Sequence, residues 1–267
     1  MIKLIATDMD DTLLNSKREI SAYSLEVLDK VRAAGVKFTI CTGRMYDSSR
    51  VYVDMLKLTD PVIVYNGAMI VDPVSGKMLY HRPMEDHLAI RVLELAEQWG
   101  CHSQIYLSDK LYTQKIDREA LTYQKHTGTA SIETGRPLKE CLSEPTTKII
   151  LIMDKELVAK RLPIVREMFK GELEITVSKP EYLEFMDIRV NKGKTLEYLA
   201  NMYCCTADEV MAFGDARNDI SMLEYAGHSY AVANALPQVK EAAKGICASN
   251  DSDGVARCIY EHLLAKT

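Results

Sequence analysis

The stretch KLIATDMDDTLLNS (Lys3–Ser16) places three aspartates directly after a short apolar run. Leu4–Ala6 resembles the end of a buried strand, and Asp8, Asp10 and Asp11 follow it closely. Like charges this close repel one another, and a carboxylate at the edge of a core loses hydration unless a metal ion, backbone N–H groups or water compensates it. The stretch therefore predicts a place in the fold where negative charge has to be compensated.

Three interpretations of the aspartates are open at this point. A solvated turn is the first, because acidic residues often make turns. A calcium loop is the second, with Asp8, Asp10 and Glu19 at ligand positions, but the position that needs glycine holds Leu13 and the preceding segment is not helical. The third is a catalytic carboxylate pair at the carboxyl end of a parallel strand, where open α/β sheets place their sites.

The composition of the 267-residue chain is that of a globular protein, with 47% hydrophobic and 27% charged residues. A formal net charge of −5 gives no reason to expect nucleic acid or an acidic membrane surface as partner. No apolar run reaches the length of a membrane span, the N-terminus shows no signal peptide, and the seven cysteines form no C-x-x-C pair. We expect a cytoplasmic protein with reduced thiols that is a monomer or a weak homodimer.

Strand-like and helix-like segments alternate at both ends of the chain. The runs at 2–7, 36–41 and 61–68 are nearly continuous in apolar residues, as in a parallel sheet covered on both faces. Ser21 is expected to cap a helix that ends at Gly35. The same alternation returns with EVMAFGD at 209–215 and HSYAVA at 228–233. This pattern predicts an α/β fold with a doubly wound, Rossmann-like parallel sheet.

The middle of the chain has a different order of elements. After an expected hairpin at 69–82, whose turn is Pro-x-Ser-Gly, strands and helices follow in an α+β order. The expected elements are a helix at 86–99, a strand at 102–107, a loop at 128–145, a strand at 147–153, a helix at 155–169, and strands at 173–178 and 182–187. We therefore predict a core domain of residues 1–83 and 188–267, interrupted by an inserted α+β domain at 84–187.

A second acidic cluster favours the catalytic interpretation of the first. MAFGDARND (211–219) again runs from an apolar strand into carboxylates, here Asp215 and Asp219. Two strands of one sheet that both end in acidic residues can bring these carboxylates to a common point. Oxygen ligands with open positions suit Mg²⁺, which readily takes a substrate phosphate as a further ligand.

A phosphate site needs donors as well as a metal. Thr42 offers a hydroxyl, Gly43 lets the backbone come close, and Lys192 directly precedes a predicted helix whose N–H groups can share an anion. The Gly-Lys-Thr tripeptide at 193–195 also resembles the tail of a P-loop. That motif needs a glycine five residues before Gly193, where this chain has Ile188, so the P-loop interpretation fails.

Taken together, four motifs in order resemble the haloacid dehalogenase superfamily of phosphoryl-transfer enzymes. They are D-x-D-x-T at Asp8–Thr12, the threonine Thr42, the lysine Lys192, and G-D-x-x-N-D at Gly214–Asp219. The insertion lies between the second and third motifs, which is similar to the large C2 cap branch. The stretches YNGA (65–68), NKGKTLEYL (191–199) and SNDSDGVA (249–256) look like its Cof-type sugar-phosphate phosphatase subgroup.

The resemblance implies Mg²⁺ as cofactor and a role for each acidic residue. Asp8 is implied to be the nucleophile that forms an aspartyl-phosphate, and it shares the metal with the side chain of Asp215 and the backbone carbonyl of Asp10. The Asp10 side chain is implied to protonate the leaving oxygen and later to deprotonate water. Asp219 is implied to lie in the outer shell of the metal, and Asn218 to donate a hydrogen bond near the substrate or the motif lysine.

The remaining motif residues are implied to handle the phosphate. Thr42 would donate to a transferring oxygen, and Lys192 would neutralise phosphoryl charge together with the metal. Arg44 and Asn66 follow strands, and both substrate contact and structural anchoring stay open for them. AVANA (231–235) looks like a shortened form of a longer glycine-containing segment and is expected to lie apart from the chemistry.

The expected reaction is hydrolysis of small phosphomonoesters, with sugar phosphates as first substrates and flavin mononucleotide or pyridoxal phosphate next. Family ATPases carry threonine where this chain has Asp10, so a carboxylate there favours turnover to free phosphate. The inserted domain would select the substrate. The alternatives are a phosphomutase acting on sugar phosphates and a non-catalytic phosphometabolite-binding regulator, whose signature would be loss of Asp8 or Asp10.

Overall fold

The computed structural model describes residues 1–265, and the chain divides into two compact units. The core unit comprises Met1–Arg44, Arg50–Tyr80 and Asn191–Thr267. The inserted unit comprises Met45–Ser49 and His81–Val190. Every residue of the four motifs lies in the core unit.

Strands and helices are numbered along the whole chain. The strands are β1 (Leu4–Thr7), β2 (Lys37–Ile40), β3 (Val62–Val64), β4 (Met69–Val71), β5 (Met78–His81), β6 (His102–Leu107), β7 (Lys110–Thr113), β8 (Ser131–Glu133), β9 (Ile149–Ile152), β10 (Leu173–Lys179), β11 (Tyr182–Asp187), β12 (Val210–Gly214), β13 (His228–Val232) and β14 (Gly245–Cys247). The α-helices are α1 (Ala22–Ala33), α2 (Tyr46–Met55), α3 (Asp86–Trp99), α4 (Arg118–Thr127), α5 (Lys155–Met168), α6 (Lys192–Met202), α7 (Ile220–Tyr225), α8 (Pro237–Ala242) and α9 (Gly254–Ile259).

The main sheet of the core unit has the strand order β14-β13-β12-β1-β2, and all its neighbouring strands run parallel. Strands β1 and β12 are buried along their whole length, which explains why their sequences are continuously apolar rather than alternating. Thr7 pairs with Phe213 on one side and with Ile40 on the other. The carboxyl ends of β12, β1 and β2 are therefore level, and the residues that follow them emerge at one edge of the sheet.

Helix α1 follows the capping pattern expected from the sequence. The Oγ of Ser21 accepts a hydrogen bond from the backbone N–H of Ser24 at 3.0 Å, and this satisfies one of the N–H groups left open at a helix start. Its buried side chains include Val27, Leu28 and Val31. After the helix, Gly35 adopts a φ of +74°, a left-handed conformation that suits glycine. The predicted helix is confirmed.

The third predicted strand forms, but it pairs mainly outside the parallel sheet. Strand β3 runs antiparallel to β4 in a separate sheet of order β3-β4-β5. A single parallel bridge between Cys41 and Ile63 links it to the end of β2, and the backbone N–H of Thr42 donates to the carbonyl of Ile63 at 2.9 Å. These contacts hold the turn after β2 against the end of β3.

The inserted unit is built on a six-stranded sheet of order β10-β11-β9-β6-β7-β8. Apolar side chains of α3 and α5 pack on one face of this sheet, and Val92, Val165, Ile149 and Phe185 are among the buried members of that cluster. Helix α3 and strand β6 have the bounds expected from the sequence. The α/β fold with a parallel core sheet and an additional, mainly antiparallel sheet is confirmed.

The polar stretch after β6 is more structured than expected. Helix α4 forms although its sequence is mostly polar, because Asp117 caps its start by accepting from the N–H of Ala120 at 2.9 Å and Gly128 ends it at a φ of +76°. The expected loop at 128–145 contains strand β8 and a short 3₁₀ turn at Leu138–Cys141. These elements are too short for a periodic pattern to reveal them. Across residues 1–265, no helix combines the length and apolarity needed to cross a membrane.

Candidate active site

Three carboxylates converge at the carboxyl edge of the main sheet. Asp8 follows β1 directly, Asp215 follows β12, and Asp219 lies four residues later at the start of α7. One carboxylate oxygen from each lies within 4.8 Å of the others. The predicted meeting of the two acidic strand ends therefore occurs at a distance that one small cation can span.

Lys192 places a buried positive charge among these carboxylates. Its Nζ donates to Oδ1 of Asp8 and to Oδ1 of Asp219, both at 2.6 Å, and its side chain has no solvent exposure. Lys192 is the first residue of α6, and Asn191 caps that helix by accepting from the N–H of Lys194 at 3.0 Å. The cap fixes where the helix starts and thereby where the lysine enters the site.

Asp219 is fully engaged by the protein. Its Oδ1 accepts from Lys192, while its Oδ2 accepts from the backbone N–H groups of Asp215 at 3.0 Å and Ala216 at 2.9 Å. This close approach depends on Gly214, because a Cβ added there would lie 2.4 Å from the Cβ of Asp219. Asp219 thus shapes the loop that carries Asp215 and orients Lys192, which is compatible with the outer-shell place that the sequence suggested.

Thr12 links the two acidic loops to each other. Its Oγ1 donates to Oδ1 of Asp215 at 2.7 Å across 203 positions of sequence. The residues between Asp8 and Thr12 make a tight turn in which Asp11 adopts a φ of +56°, a left-handed conformation in which aspartate is one of the better tolerated residues. This turn carries Asp10 and returns the chain to the site at Thr12.

Three carboxylates surround one buried ammonium in this site, so negative charge exceeds positive charge. Burial raises the pKa of Asp8 well above its ordinary value, with Lys192 opposing the shift and the charges of Asp219 and Asp215 adding to it. Burial also raises the pKa of Asp215 to about 6. Burial acts to lower the pKa of Lys192, but the charges of Asp219 and Asp8 outweigh it, so the pKa is raised and the ammonium stays charged.

The carboxylates fit a divalent cation with a preference for oxygen. Lys192 occupies one oxygen of Asp8 and Thr12 occupies one oxygen of Asp215, so each carboxylate has a second oxygen to offer a metal. The pKa values of Asp8, which is buried, and of Asp215, which is half-buried, are both raised, so both carboxylates also gain from a nearby cation. The donor set of carboxylate oxygens suits Mg²⁺ and argues against softer metals, which prefer nitrogen or sulfur.

Asp10 is not a member of the three-carboxylate cluster, and its side chain pairs with Arg44. The Nε of Arg44 donates to Oδ2 of Asp10 at 2.7 Å, and its Nη2 donates to Oδ1 at 2.5 Å. The guanidinium also lies over the ring of Tyr52, 5.1 Å from its centroid. The sequence left the role of Arg44 open. Its position two residues after Thr42 nevertheless places a cation at the same edge of the sheet.

A second polar group forms around the turn after β2. The backbone N–H of Asn66 donates to the carbonyl of Thr42 at 2.9 Å, and the Nδ2 of Asn218 donates to Oδ1 of Asn66 at 2.9 Å. A Cβ at Gly43 would lie 2.8 Å from that same Oδ1 of Asn66. The Oγ1 of Thr42 accepts from the N–H of Arg44 at 3.2 Å. The structure therefore joins Thr42, Gly43 and Asn218 through Asn66.

Comparison with known protein families decides the chain's membership. The family model of the haloacid dehalogenase-like hydrolases matches residues 5–259. The chain belongs to this family. The membership confirms the resemblance drawn from the four motifs and the expectation that the chain is a hydrolase.

Relatives and solved structures of haloacid dehalogenase-like hydrolases cover nearly the whole chain. A 5-amino-6-(5-phospho-D-ribitylamino)uracil phosphatase of Bacillus subtilis (YitU) is 28% identical and aligns over 97% of both chains. A pyridoxal phosphate phosphatase of Escherichia coli (YbhA) is 28% identical and aligns over 98% of this chain and 99% of its own. A haloacid dehalogenase-like hydrolase from Bacteroides thetaiotaomicron superposes with a TM-score of 0.90 at 28% identity, covering 98% of this chain and 99% of that one.

Proposed function

We propose that this haloacid dehalogenase-like hydrolase is a Mg²⁺-dependent phosphatase that hydrolyses small phosphorylated metabolites through an aspartyl-phosphate on Asp8. The observation that carries the proposal is the arrangement around Asp8, where one carboxylate oxygen is held by Lys192 within a cluster of three carboxylates, two buried and one, Asp215, half-buried. This arrangement orients a nucleophile and supplies a positive charge at the same point.

Asp8 and Asp10 divide the chemical work in this proposal. Asp8 attacks phosphorus, so an Asp8 O–P bond forms while the bond from phosphorus to the leaving oxygen breaks. Asp10 gives its proton to that oxygen. Water then attacks the phosphorus of the aspartyl-phosphate, Asp10 takes up one of its protons, and free phosphate leaves with the carboxylate of Asp8 restored.

Charge repulsion between Asp8 and a phosphate dianion has to be offset for the attack to occur. Lys192 supplies one full positive charge 2.6 Å from the nucleophile. Asp8 and Asp215 would hold Mg²⁺ by their side chains, with the backbone carbonyl of Asp10 as a further ligand. The metal, when bound, stabilises negative charge on the phosphoryl oxygens. Thr42 and Asn218 supply donors at the same edge of the sheet.

The contact between Asp10 and Arg44 sets a condition on proton transfer. The guanidinium of Arg44 donates to both carboxylate oxygens of Asp10, so in that arrangement the Asp10 side chain is directed at Arg44. We propose that Arg44 releases at least one oxygen of Asp10 before the leaving group is protonated. In this proposal, Arg44 controls when the Asp10 side chain can reach the leaving oxygen. The sequence had left the role of Arg44 open.

The proposed substrate class rests on the relatives. The named substrates of YitU and YbhA are both small phosphate monoesters, one with a sugar-alcohol chain and one with an aromatic ring. We propose that this chain acts on a metabolite of the same class, with sugar phosphates to be tested first, and that the inserted unit selects the leaving group. A phosphomutase is the rival function, and it predicts transfer only when a bisphosphate activator is present.

A screen of sugar and cofactor monophosphates with Mg²⁺ tests the proposal. We expect release of inorganic phosphate without a bisphosphate activator, and a loss of several orders of magnitude in Asp8→Asn. Asp11→Asn is the matched control, because it makes the same change three residues away at an exposed side chain, and it should keep most of the activity. Equal activity in Asp8→Asn and wild type would show that Asp8 is not the nucleophile, and no turnover of any ester would favour a binding regulator.

A further inference from the structure

The segment between β13 and α8 contacts both loops that carry the acidic residues. The Nδ2 of Asn234 donates to the backbone carbonyl of Asp11 at 2.7 Å. Two residues later, the backbone N–H of Leu236 donates to the carbonyl of Asp215 at 3.0 Å. The sequence suggested that AVANA lies apart from the chemistry, but this short segment is hydrogen-bonded to both acidic loops.

Asn250 fixes the orientation of the Asn234 side chain. The backbone N–H of Asn250 donates to Oδ1 of Asn234 at 3.0 Å, so the other end of that amide, the Nδ2, points to Asp11. The buried Nδ2 of Asn250 donates in turn to the carbonyl of Leu14 at 3.0 Å. Two linked asparagines thus hold the turn after Asp8 at Asp11 and again at Leu14.

The turn held in this way is the one that carries Asp10. Asp11 follows Asp10 directly and adopts a φ of +56°, a left-handed conformation that the hydrogen bond to its carbonyl helps to hold. The turn is closed by a hydrogen bond from the N–H of Leu14 to the carbonyl of Met9 at 2.8 Å. A hydrogen bond to the carbonyl of Asp11 limits rotation of the peptide group between Asp11 and Thr12, and so helps to fix the turn from which the Asp10 side chain projects.

We propose that Asn234 is a positioning residue for proton transfer by Asp10, and that Asn250 holds it in the orientation this role requires. The inference rests on the proposed acid–base role of Asp10. The test reads the first step, formation of the aspartyl-phosphate, through kcat/KM. A misdirected Asp10 still leaves Asp8 and Lys192 in place, so kcat/KM is spared for esters whose leaving group needs no proton. Small misplacements of a catalytic group are enough to slow a step strongly.

Two variants of Asn234 test the inference. Asn234→Asp keeps the volume and the oxygen that accepts from Asn250 but loses the N–H to Asp11, and Asn234→Ala removes the whole contact without adding charge. Both variants should fold, because Asn234 is exposed. The readout is kcat/KM for an alkyl phosphate accepted in the screen and for p-nitrophenyl phosphate, whose leaving group departs readily as an anion.

We expect both variants to lose about tenfold in kcat/KM with the alkyl phosphate and less than about twofold with p-nitrophenyl phosphate. Asn201→Ala, an exposed asparagine at the end of α6, should change neither value. Equal effects of the Asn234 variants on both esters, or no effect, would overturn the positioning role.

Asp10→Asn in the same assay separates this inference from the proposed function. If Asp10→Asn selectively loses the alkyl phosphate while the Asn234 variants do not, the inference is wrong and the role of Asp10 stands. If Asp10→Asn treats both esters alike, Asp10 is not the acid, and the inference fails together with that part of the proposed function.

Discussion

The ammonium of Lys192 lies 2.6 Å from a carboxylate oxygen of Asp8, although 184 positions separate the two residues. Both side chains are buried, and the same ammonium lies 2.6 Å from Asp219. One lysine therefore neutralises charge on two carboxylates that the fold brings together at the edge of the main sheet. We expect its loss to affect stability as well as the proposed chemistry.

Lys192→Met should lower the free energy of unfolding by about 3–5 kcal/mol, because it leaves two buried carboxylates without their cation. Urea unfolding measured with a chelator present checks this, since no divalent cation can then replace the ammonium. Lys194→Met on the exposed side of the same helix is the control and should stay within about 0.5 kcal/mol of wild type. Identical unfolding midpoints for Lys192→Met and wild type would contradict the charged, buried cluster.

Mg²⁺ should stabilise the protein against heat, because a bound cation offsets the repulsion and burial that raise the pKa values of Asp8 and Asp215. At a concentration of 100 times its Kd, the ion is expected to add about 2.7 kcal/mol to stability. Differential scanning calorimetry with Mg²⁺ and with EDTA measures the effect. Asp215→Asn should lose most of it, while Asp208→Asn, an exposed change nearby in sequence, should keep it. A Tm that does not respond to Mg²⁺ in the wild type would argue against a metal site here.

Asp10→Asn should lower kcat for alkyl phosphates by about 10²–10⁴-fold while leaving Mg²⁺ affinity largely intact. The physical reason is that the Asp10 carboxylate pairs with Arg44, and the three-carboxylate cluster consists of other residues. Steady-state kinetics over a range of Mg²⁺ concentrations give both quantities. Loss of metal affinity equal to that of Asp215→Asn would place the Asp10 carboxylate among the metal ligands instead.

Two glycines of the site should differ sharply in their tolerance of alanine. A Cβ at Gly214 would lie 2.4 Å from the Cβ of Asp219, which is fixed by three hydrogen bonds, so Gly214→Ala should displace the loop and abolish activity. A Cβ at Gly43 would meet only the amide end of Asn66 at 2.8 Å, and that flexible side chain can move. Gly43→Ala should therefore keep the fold and lose less activity. Thermal unfolding and phosphate release distinguish the two, and the reverse order would be incompatible with these contacts.

Cys41 should be inert to alkylation in the folded protein even though it precedes Thr42. Burial raises the pKa of the Cys41 thiol to about 12, so almost none of it is thiolate at pH 8, and the side chain is shielded from reagent. Cys204 is exposed and should react first. Iodoacetamide labelling followed by peptide mass spectrometry tests this, with a guanidinium-unfolded sample as the control in which both react. Early labelling of Cys41 would show that the edge of the main sheet opens.

The sequence was most informative where chemistry requires particular residue types. Asp8, Asp215 and Lys192 could be placed at one sheet edge because each follows an apolar strand or starts a helix. The pairing of Arg44 with Asp10 could not be predicted, since a side-chain partner depends on the path of the turn after β2. The stretches that contain Asn234 and Asn250 stood out only by their resemblance to the family. The contacts of the two side chains could not be predicted, because they are made to the backbone carbonyls of Asp11 and Leu14, and every residue has a carbonyl.

The fold, too, was predictable only where the sequence pattern is long or strong enough. Long, apolar or well-capped elements such as α1 and α3 were predictable, whereas α4 depends on caps at Asp117 and Gly128 around a polar sequence. Strand β14 has three residues, which is too few for a pattern to establish.

The position of β1 between β2 and β12 has a consequence for how the protein is made. On the ribosome, β2 follows β1 within a few tens of residues, but β12 starts only at Val210. One edge of β1 therefore has no partner while the whole of the inserted unit is being synthesised, and an unpaired strand edge invites association with other chains. We therefore expect the nascent core to be most prone to aggregation before residues 210–214 are synthesised. Asp8 likewise has no Lys192 beside it until the chain has been synthesised beyond the inserted unit.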